Sequence, residues 1–357
     1  MSDPIVINVK DLRSFTVRAF ERAGVAHDDA VIAADVLVAA DLRGVESHGV
    51  ARLHHYVAHL RQNLVARETR LGIVREMPAA LTIDAGNGIG MVAAHRAMQI
   101  CIARAMQYGS AAVAVRSSNH FGIAGYYAMQ ALPHDMIGVA MCNASPTVVP
   151  FGGSQAMLGT NPIAWAIPCG AEPAIVMDMA TSGSALGKIE VALRVGAPLA
   201  LGWALGADGQ PTADAAEAFT ARRLLPLGGL VEGTGYKGYA LATVVEALSH
   251  ALAGAASSMA VMGVHGRDAR PSNTGHFFAA HRVDAFRDVD EFKQDMDVLV
   301  RTLRGCPPQA GVERVLLPGE KEHLLSLQRS REGIPLHTKV VGSLRAIAAE
   351  LQLEPVA

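Results

Sequence analysis

The stretch RGVESHGVARLHHY, residues 43–56, sets a histidine and an arginine four positions apart, at His48 and Arg52. On a helix, that spacing puts two side chains one turn apart on the same face. An imidazole exchanges a proton near neutral pH, and a guanidinium fork suits a carboxylate. The pair could serve a small acid, one group trading a proton with a substrate oxygen while the other holds the adjacent carboxylate. The spacing also predicts the setting. Gly44 closes one helix, and Ser47 caps the next over residues 49–64. His48 would then sit in the first turn, where the positive end of the helix dipole disfavours imidazolium. A capping serine with an incidental histidine and a surface arginine fits the same residues, so spacing alone leaves both readings open.

A second polar cluster, SSNHFGIAGYY at residues 117–127, follows a buried apolar run. The carboxyl ends of strands are where α/β proteins place ligand contacts. Asn119 and His120 can donate or accept there, and Gly122 and Gly125 permit close backbone approach. The loops GGSQAMLGTNP (152–162) and DMATSGSALGK (178–188) combine hydroxyls and glycines that can cradle phosphates.

Other motifs fail. In GNGIGM, Gly86 and Gly88 match a dinucleotide fingerprint, but its third glycine position holds Met91, so a tight strand-to-helix turn is expected. GTGYKG at 233–238 lacks the Gly-Lys-Ser/Thr order of a Walker loop. His55 and His59 share a helix face with no glutamate between them, and no metal site is expected. His54, His55 and His59 read as surface or interface residues. No G-x-S-x-G elbow occurs.

The elements that must position these residues change texture along the chain. Apolar periodicity predicts helices over 10–23, 28–42 and 49–64. After Glu76, short apolar runs at 80–84, 111–116, 136–143, 162–167 and 174–179 read as strands, with a helix over 92–108, which argues for an α/β layer. Residues 195–222 read as irregular surface or linker. Helices return at 239–256 and 288–303, and a last one lies within 333–353. This pattern predicts a domain of residues 1–75 and 231–357 carrying substrate residues, with an α/β cofactor-binding domain, 76–230, inserted into it.

At 357 residues and 50% hydrophobic, with 18% charged and a mean hydropathy of +0.24, the chain can bury a large core and extra surface in an oligomer. A net charge of −2 gives no electrostatic footprint for nucleic acid or an anionic membrane. The four cysteines form no CxxC pair, which fits a reducing compartment. The first residues lack a signal-peptide apolar block. The most hydrophobic span, 239–263, is broken by Glu246, Ser249 and His250, so a buried amphipathic helix is expected rather than a membrane span. A cytoplasmic protein is expected.

Taken in order, several segments resemble the malate/L-lactate dehydrogenase type 2 family, also called the L-sulfolactate dehydrogenase-like group. They are RGVESHGVARLHHY, SSNHFGIAGYY, GTNPIAWAIP, DMATSGSALGKIE, GWALGADGQPTAD, GYKGYALATVVEAL, NTGHFFAA and LLPGE, running from about residue 40 to 320. The resemblance implies an oxidoreductase using NAD or NADP. It also implies a non-Rossmann three-layer α/β/α fold with a mixed sheet, and a homodimer with the active site near the subunit interface.

By the same resemblance, His48 is the proton donor and acceptor, and Ser47, Arg52 and Asn119 contact a small carboxylic acid substrate. His120 is the second catalytic histidine, used as the acid/base in some members in place of His48, and near cofactor as well as substrate. Thr160 and Asn161 face substrate or nicotinamide. Cofactor contacts are implied from Asp178, Met179, Ala180, Thr181 and Ser182, from Lys237 and Gly238, and from Pro318, Gly319 and Glu320. The sequence departs from the family at one point: a compact LPLGG-KGYGL segment is expanded to LPLGGLVEGTGYKGYAL beside Lys237. The reaction implied interconverts a 2-hydroxy and a 2-oxo acid. Reduction of a cyclic imino acid, a diketo sugar acid or a ureidoglycolate-like compound is the alternative, and a non-catalytic ligand-binding relative is another.

Overall fold

A computed structural model describes residues 4–262 and 270–356. The chain begins with β1 (Ile5–Ile7), α1 (Val9–Arg22) and α2 (His27–Leu42). Asn8 caps α1, its side chain accepting from the Lys10 N–H at 2.8 Å. The helix expected over 49–64 is instead two 3-10 turns, Glu46–His48 and Val50–Arg52, followed by α3 (Leu53–Arg61). Ser47 therefore caps no helix; the residue before α3 is Arg52, without a side-chain cap.

The α/β part follows as β2 (Gly72–Met77), β3 (Ala80–Asp84), α4 (Gly90–Tyr108), β4 (Ser110–Ser118), α5 (Ala124–Met129), β5 (Met136–Cys142), β6 (Ile163–Ile167) and β7 (Ile175–Met179). These match the expected apolar runs closely, with β2 as an addition. Residues 195–222 are no linker. Together with α6 (Leu186–Val195) they supply β8 (Ala204–Leu205), β9 (Pro211–Thr212) and α7 (Ala215–Ala221), and β10 (Arg223–Leu224) completes a small sheet ordered β10-β8-β9. This lobe has its own core of Val148, Ile189, Leu199, Ala204, Ala218 and Leu224. Strands of two residues are too short to show a period.

The chain then forms α8 (Gly235–Glu246), which runs into a π-helical turn, Ala247–Leu252. Gly263, the end of the hydrophobic span 239–263, lies outside the described residues. No described helix is long and apolar enough to cross a membrane. Last come β11 (Thr274–Arg282), α9 (Val289–Arg304), α10 (Glu320–Glu332), β12 (Ile334–Leu336) and α11 (Thr338–Leu351). β12 pairs antiparallel with β1, joining the two ends of the chain.

The main sheet is ordered β2-β3-β4-β11-β5-β6-β7. Only β3 and β4 run parallel, with α4 as their crossover, and every other pair is antiparallel. On one face Val113, Val115, Ala140 and Phe278 join the core built with α1, α2, α4 and α5. On the other, Val139, Met141, Ile163 and Ala279 pack on Val245 and Leu248 of the α8 segment. The result is a mixed sheet between helical layers, as expected. The sheet is not confined to 76–230, however, because its middle strand, β11, comes from the later part of the chain. TGHFFAAHR is buried on both faces and so shows no alternation to reveal it.

Candidate active site

The two 3-10 turns present His48 and Arg52 from either side of Gly49, whose backbone is extended (φ −87°, ψ −153°). The two residues are not stacked along one helix. They meet through Ser47 instead: its hydroxyl is 2.9 Å from His48 Nδ1, and its carbonyl accepts from Arg52 Nε at 2.8 Å. The turn is pinned below by Asp41 near the end of α2, whose carboxyl accepts from the Val50 N–H at 2.8 Å. His48 is kept neutral, its pKa lowered to about 4, by burial first and by the nearby Arg52 charge second. A helix dipole is not the cause.

His120 arrives from β4. The Asn119 amide donates to the carbonyls of Asn87 and Gly88 at 3.2 and 2.8 Å and to Asn87 Oδ1 at 3.0 Å, which fixes the turn after the strand. Here the glycine cluster finds its reason. A Cβ at Gly90, where α4 starts, would lie 2.1 Å from the Asn119 carbonyl. The residue is glycine so that helix and turn can touch.

His120 Nδ1 faces the Tyr56 hydroxyl at 2.5 Å and accepts from the Gly122 N–H at 3.3 Å. Burial raises the Tyr56 pKa, so it stays a phenol that can donate. With Nδ1 accepting, the neutral ring carries its proton on Nε2. The His48 and His120 rings lie 5.6 Å apart at an interplanar angle of 22°. Behind them, Phe121 stacks on the buried His276 at 4.8 Å and 2°, and His276 Nε2 is 2.7 Å from the Ser118 hydroxyl.

Both histidines open on a cavity of about 120 Å³. Apolar walls from Phe20, Leu60 and Ile89 meet polar groups from Ser145, Thr160 and Arg270. Apolar walls with a few convergent polar groups are the general make-up of a small-molecule site. Of the expected substrate residues, His48, Asn119, His120 and Thr160 line this space; Ser47, Arg52 and Asn161 do not. Asn161 is fully buried. Its amide donates to the Ala242 carbonyl at 3.1 Å and to Glu246 at 3.0 Å, and its Oδ1 accepts from Ala144 N–H at 3.1 Å and from Ser258 at 3.3 Å.

Apart from His120, the expected cofactor residues lie around β7 and the loop after it rather than in the cavity. The Asp178 carboxylate accepts from the Gly125 N–H at 2.8 Å. Met179 ends the strand opposite Ile163, and Ala180 follows it. Thr181 donates from its N–H and its hydroxyl to the Thr160 carbonyl at 2.9 and 3.0 Å, linking this loop to the cavity wall. The Ser182 hydroxyl donates to the Ser184 carbonyl at 2.6 Å.

Leu227 bridges the next segment, its N–H on the Thr181 carbonyl at 2.9 Å and its carbonyl on the Gly238 N–H at 3.1 Å. The residues inserted before Lys237 close on themselves, Gly233 N–H to the Leu230 carbonyl at 3.0 Å, and leave Lys237 exposed in the first turn of α8. On the other side, the Pro318 carbonyl accepts from the Val176 N–H at 3.1 Å, and a Cβ at Gly319 would come within 2.5 Å of the Val176 carbonyl. Glu320 is buried, accepts from the Leu317 N–H at 3.0 Å and pairs with Arg304 and Arg314.

Sequence reasoning missed Tyr56, Ser145 and Arg270. Tyr56 closes the stretch RGVESHGVARLHHY and could have been found there, since it lies four residues beyond Arg52. Ser145 and Arg270 sit in loops that carry no pattern. Among the described residues, no group of three or more His, Cys, Asp or Glu could hold a metal ion.

Comparison with known proteins gives a consistent result. The profile of the malate/L-lactate dehydrogenase family matches residues 7–345. The chain is 41% identical to a malate dehydrogenase of Pyrococcus abyssi over 95% of this chain and 92% of that one. It is 37% identical to an L-sulfolactate dehydrogenase of Methanocaldococcus jannaschii, covering 98% of each. The solved malate dehydrogenase of Pyrococcus horikoshii superposes with a TM-score of 0.92 at 38% identity, over 99% of this chain and 98% of that one.

Proposed function

The chain belongs to the malate/L-lactate dehydrogenase family, and on that premise we propose that it is an NAD- or NADP-dependent dehydrogenase of a small 2-hydroxy acid. The observation that carries this reading is the His48–His120 pair, 5.6 Å apart across one cavity. The nicotinamide cofactor supplies the chemistry of accepting or delivering a hydride at carbon. The chain's residues handle everything else.

In the oxidative direction, neutral His48 takes the hydroxyl proton as the C–H electron pair leaves carbon 2. His120, with its Nε2 proton, donates a hydrogen bond to the same oxygen. In the reductive direction, protonated His48 returns the proton to that oxygen. Arg52, held beside His48 through the Ser47 carbonyl and outside the cavity lining, would turn toward the cavity to pair with the substrate carboxylate, and its alignment matters because the reaction depends on near-attack geometry. Asp178–Ser182, Lys237–Gly238 and Pro318–Glu320, linked to β7 or the loop after it by backbone hydrogen bonds, form the cofactor cradle in this reading. The cysteines, all free, support a reducing cytoplasm. The exposed apolar side chains Tyr236, Leu241, Val244 and Leu252 along one helical segment support a homodimer.

The test is a panel of 2-oxo and imino acids against NADH and NADPH, followed by absorbance. Turnover of a 2-oxo acid supports the reading; cofactor binding without turnover across the panel would leave a ligand-binding protein. With a substrate in hand, His48→Ala should lower kcat by roughly 10²–10⁴ with cofactor affinity nearly intact. An unchanged kcat would pass the proton to His120. Arg52→Lys should mainly raise the KM of the acid.

A further inference from the structure

Asp41 is 1% exposed, one residue from the end of α2, and takes no part in the chemistry described above. A buried carboxyl group is costly unless its hydrogen bonding serves something. Here it lies against the backbone of the catalytic turn. It accepts from the Val50 N–H at 2.8 Å, and a Cβ at Gly49 would fall only 2.0 Å from its Oδ1. Glycine is needed at 49 for contact with this one side chain, since the extended backbone there suits any residue. The same corner is gripped from the far side by Arg329 of α10. Its guanidinium donates to the Asp41 carbonyl at 2.5 Å and to Glu46 Oε1 at 2.8 Å.

We propose that Asp41 is the positioning residue of the active-site turn: its carboxyl group sets the height of Gly49–Val50 and thereby the spacing of His48 and Arg52. His48 immediately precedes the clamped dipeptide and Arg52 follows it by two residues, so one displacement moves both. Arg329 and Glu46 hold the entry to the turn while Asp41 holds its centre. The carboxyl group faces two charges, Glu46 and Arg329, and burial pushes its pKa up to about 8. At pH 7 it is mostly a neutral acid, and asparagine is its closest mimic. The inference rests on the reading of His48 and Arg52 as the substrate-handling pair.

The experiment compares Asp41→Ala, Asp41→Asn and Gly49→Ala in the full-length protein. Each is assayed with the best acid of the panel and by hydrogen exchange of the peptide covering residues 45–53. Asp41→Ala should lower kcat by about 10- to 100-fold, the cost of a misplacement near 1 Å, and raise the KM of the acid. The Kd of NADH or NADPH should stay within about twofold, because the cradle on β7 is untouched. Asp41→Asn, which keeps an acceptor oxygen, should recover activity to within about threefold of the parent. Exchange in 45–53 should quicken in Asp41→Ala and not in Asp41→Asn. Gly49→Ala presses on the same contact from above and should reproduce the loss even if Asp41→Ala does not fold. Full activity in Asp41→Ala or Gly49→Ala overturns the proposal, as does faster exchange spread evenly over the whole chain. If the parent protein turns over no acid, the dehydrogenase reading fails, and the exchange pattern alone still decides whether Asp41 clamps the turn.

Discussion

The Tyr56 hydroxyl lies 2.5 Å from Nδ1 of His120 and ties α3 to the turn after β4. Gly122 N–H points at the same nitrogen, so the phenol helps choose which ring nitrogen faces the cavity. Removing one such bond costs about 0.5–1.5 kcal/mol. Tyr56→Phe should therefore lower kcat by about two- to tenfold with little change in melting temperature. Steady-state rates at saturating cofactor check this, and an unchanged kcat would mean that Gly122 alone orients the ring.

The pH profile tests His48. Its pKa is lowered to about 4, so the proton-accepting form is present at every pH well above that value. Oxidation of the hydroxy acid should show a flat kcat/KM from about pH 6 to 8 on the His48 side, with loss only as pH falls towards 4. An acid limb centred near the ordinary histidine value of about 6.5 would show that a different, solvated histidine takes the proton.

Asn161 separates a structural role from a substrate role. Its side chain is bound on all sides by Ala144, Ala242, Glu246 and Ser258. Asn161→Ala strands these buried partners and should cost about 1–3 kcal/mol of stability in urea unfolding, with the KM of the acid within about twofold. A raised KM at unchanged stability would return Asn161 to the substrate.

His276 gives an acid-stability prediction. Burial lowers its pKa from 6.5 to about 3, so between those values the unfolded chain binds a proton that the folded chain refuses. The penalty for excluding the proton is therefore absent above about pH 6.5, and stability falls as pH drops towards 3. At pH 4.5 this one group would account for about 2–3 kcal/mol. His276→Gln, which cannot titrate, should lose less stability than the parent between pH 7.5 and 4.5. Parallel losses in the two proteins would assign the acid sensitivity to other groups.

Much of this was legible in the sequence because it follows from local pattern. The long periodic helices α1, α2, α4 and α9 and the apolar strands β3 to β7 lie within a few residues of where periodicity puts them. Residue type singled out His48, Asn119 and His120, which line one cavity, and two histidines distant in sequence do meet. What local pattern misses is decided by tertiary contact. Asp41 sits on a helix that reads as ordinary, yet its carboxyl holds the Val50 N–H just where the expected helix is replaced by two 3-10 turns. Asn161 resembles a ligand because it is polar and sits in the loop GTNP, but its side chain is held in a buried network. β11, buried on both faces, carries no alternation to betray it.

That last strand has a consequence for synthesis. β4 and β5 leave the ribosome with a slot between them that no nearby segment fills, and the strand that fills it is made well over a hundred residues later. Until then, both neighbours present unpaired backbone edges, the feature that invites wrong pairing. Contacts so distant in sequence also slow folding. Insertion of β11 is thus the expected commitment step, and a chain cut short before it would leave His48 and His120 beside a sheet still split in two.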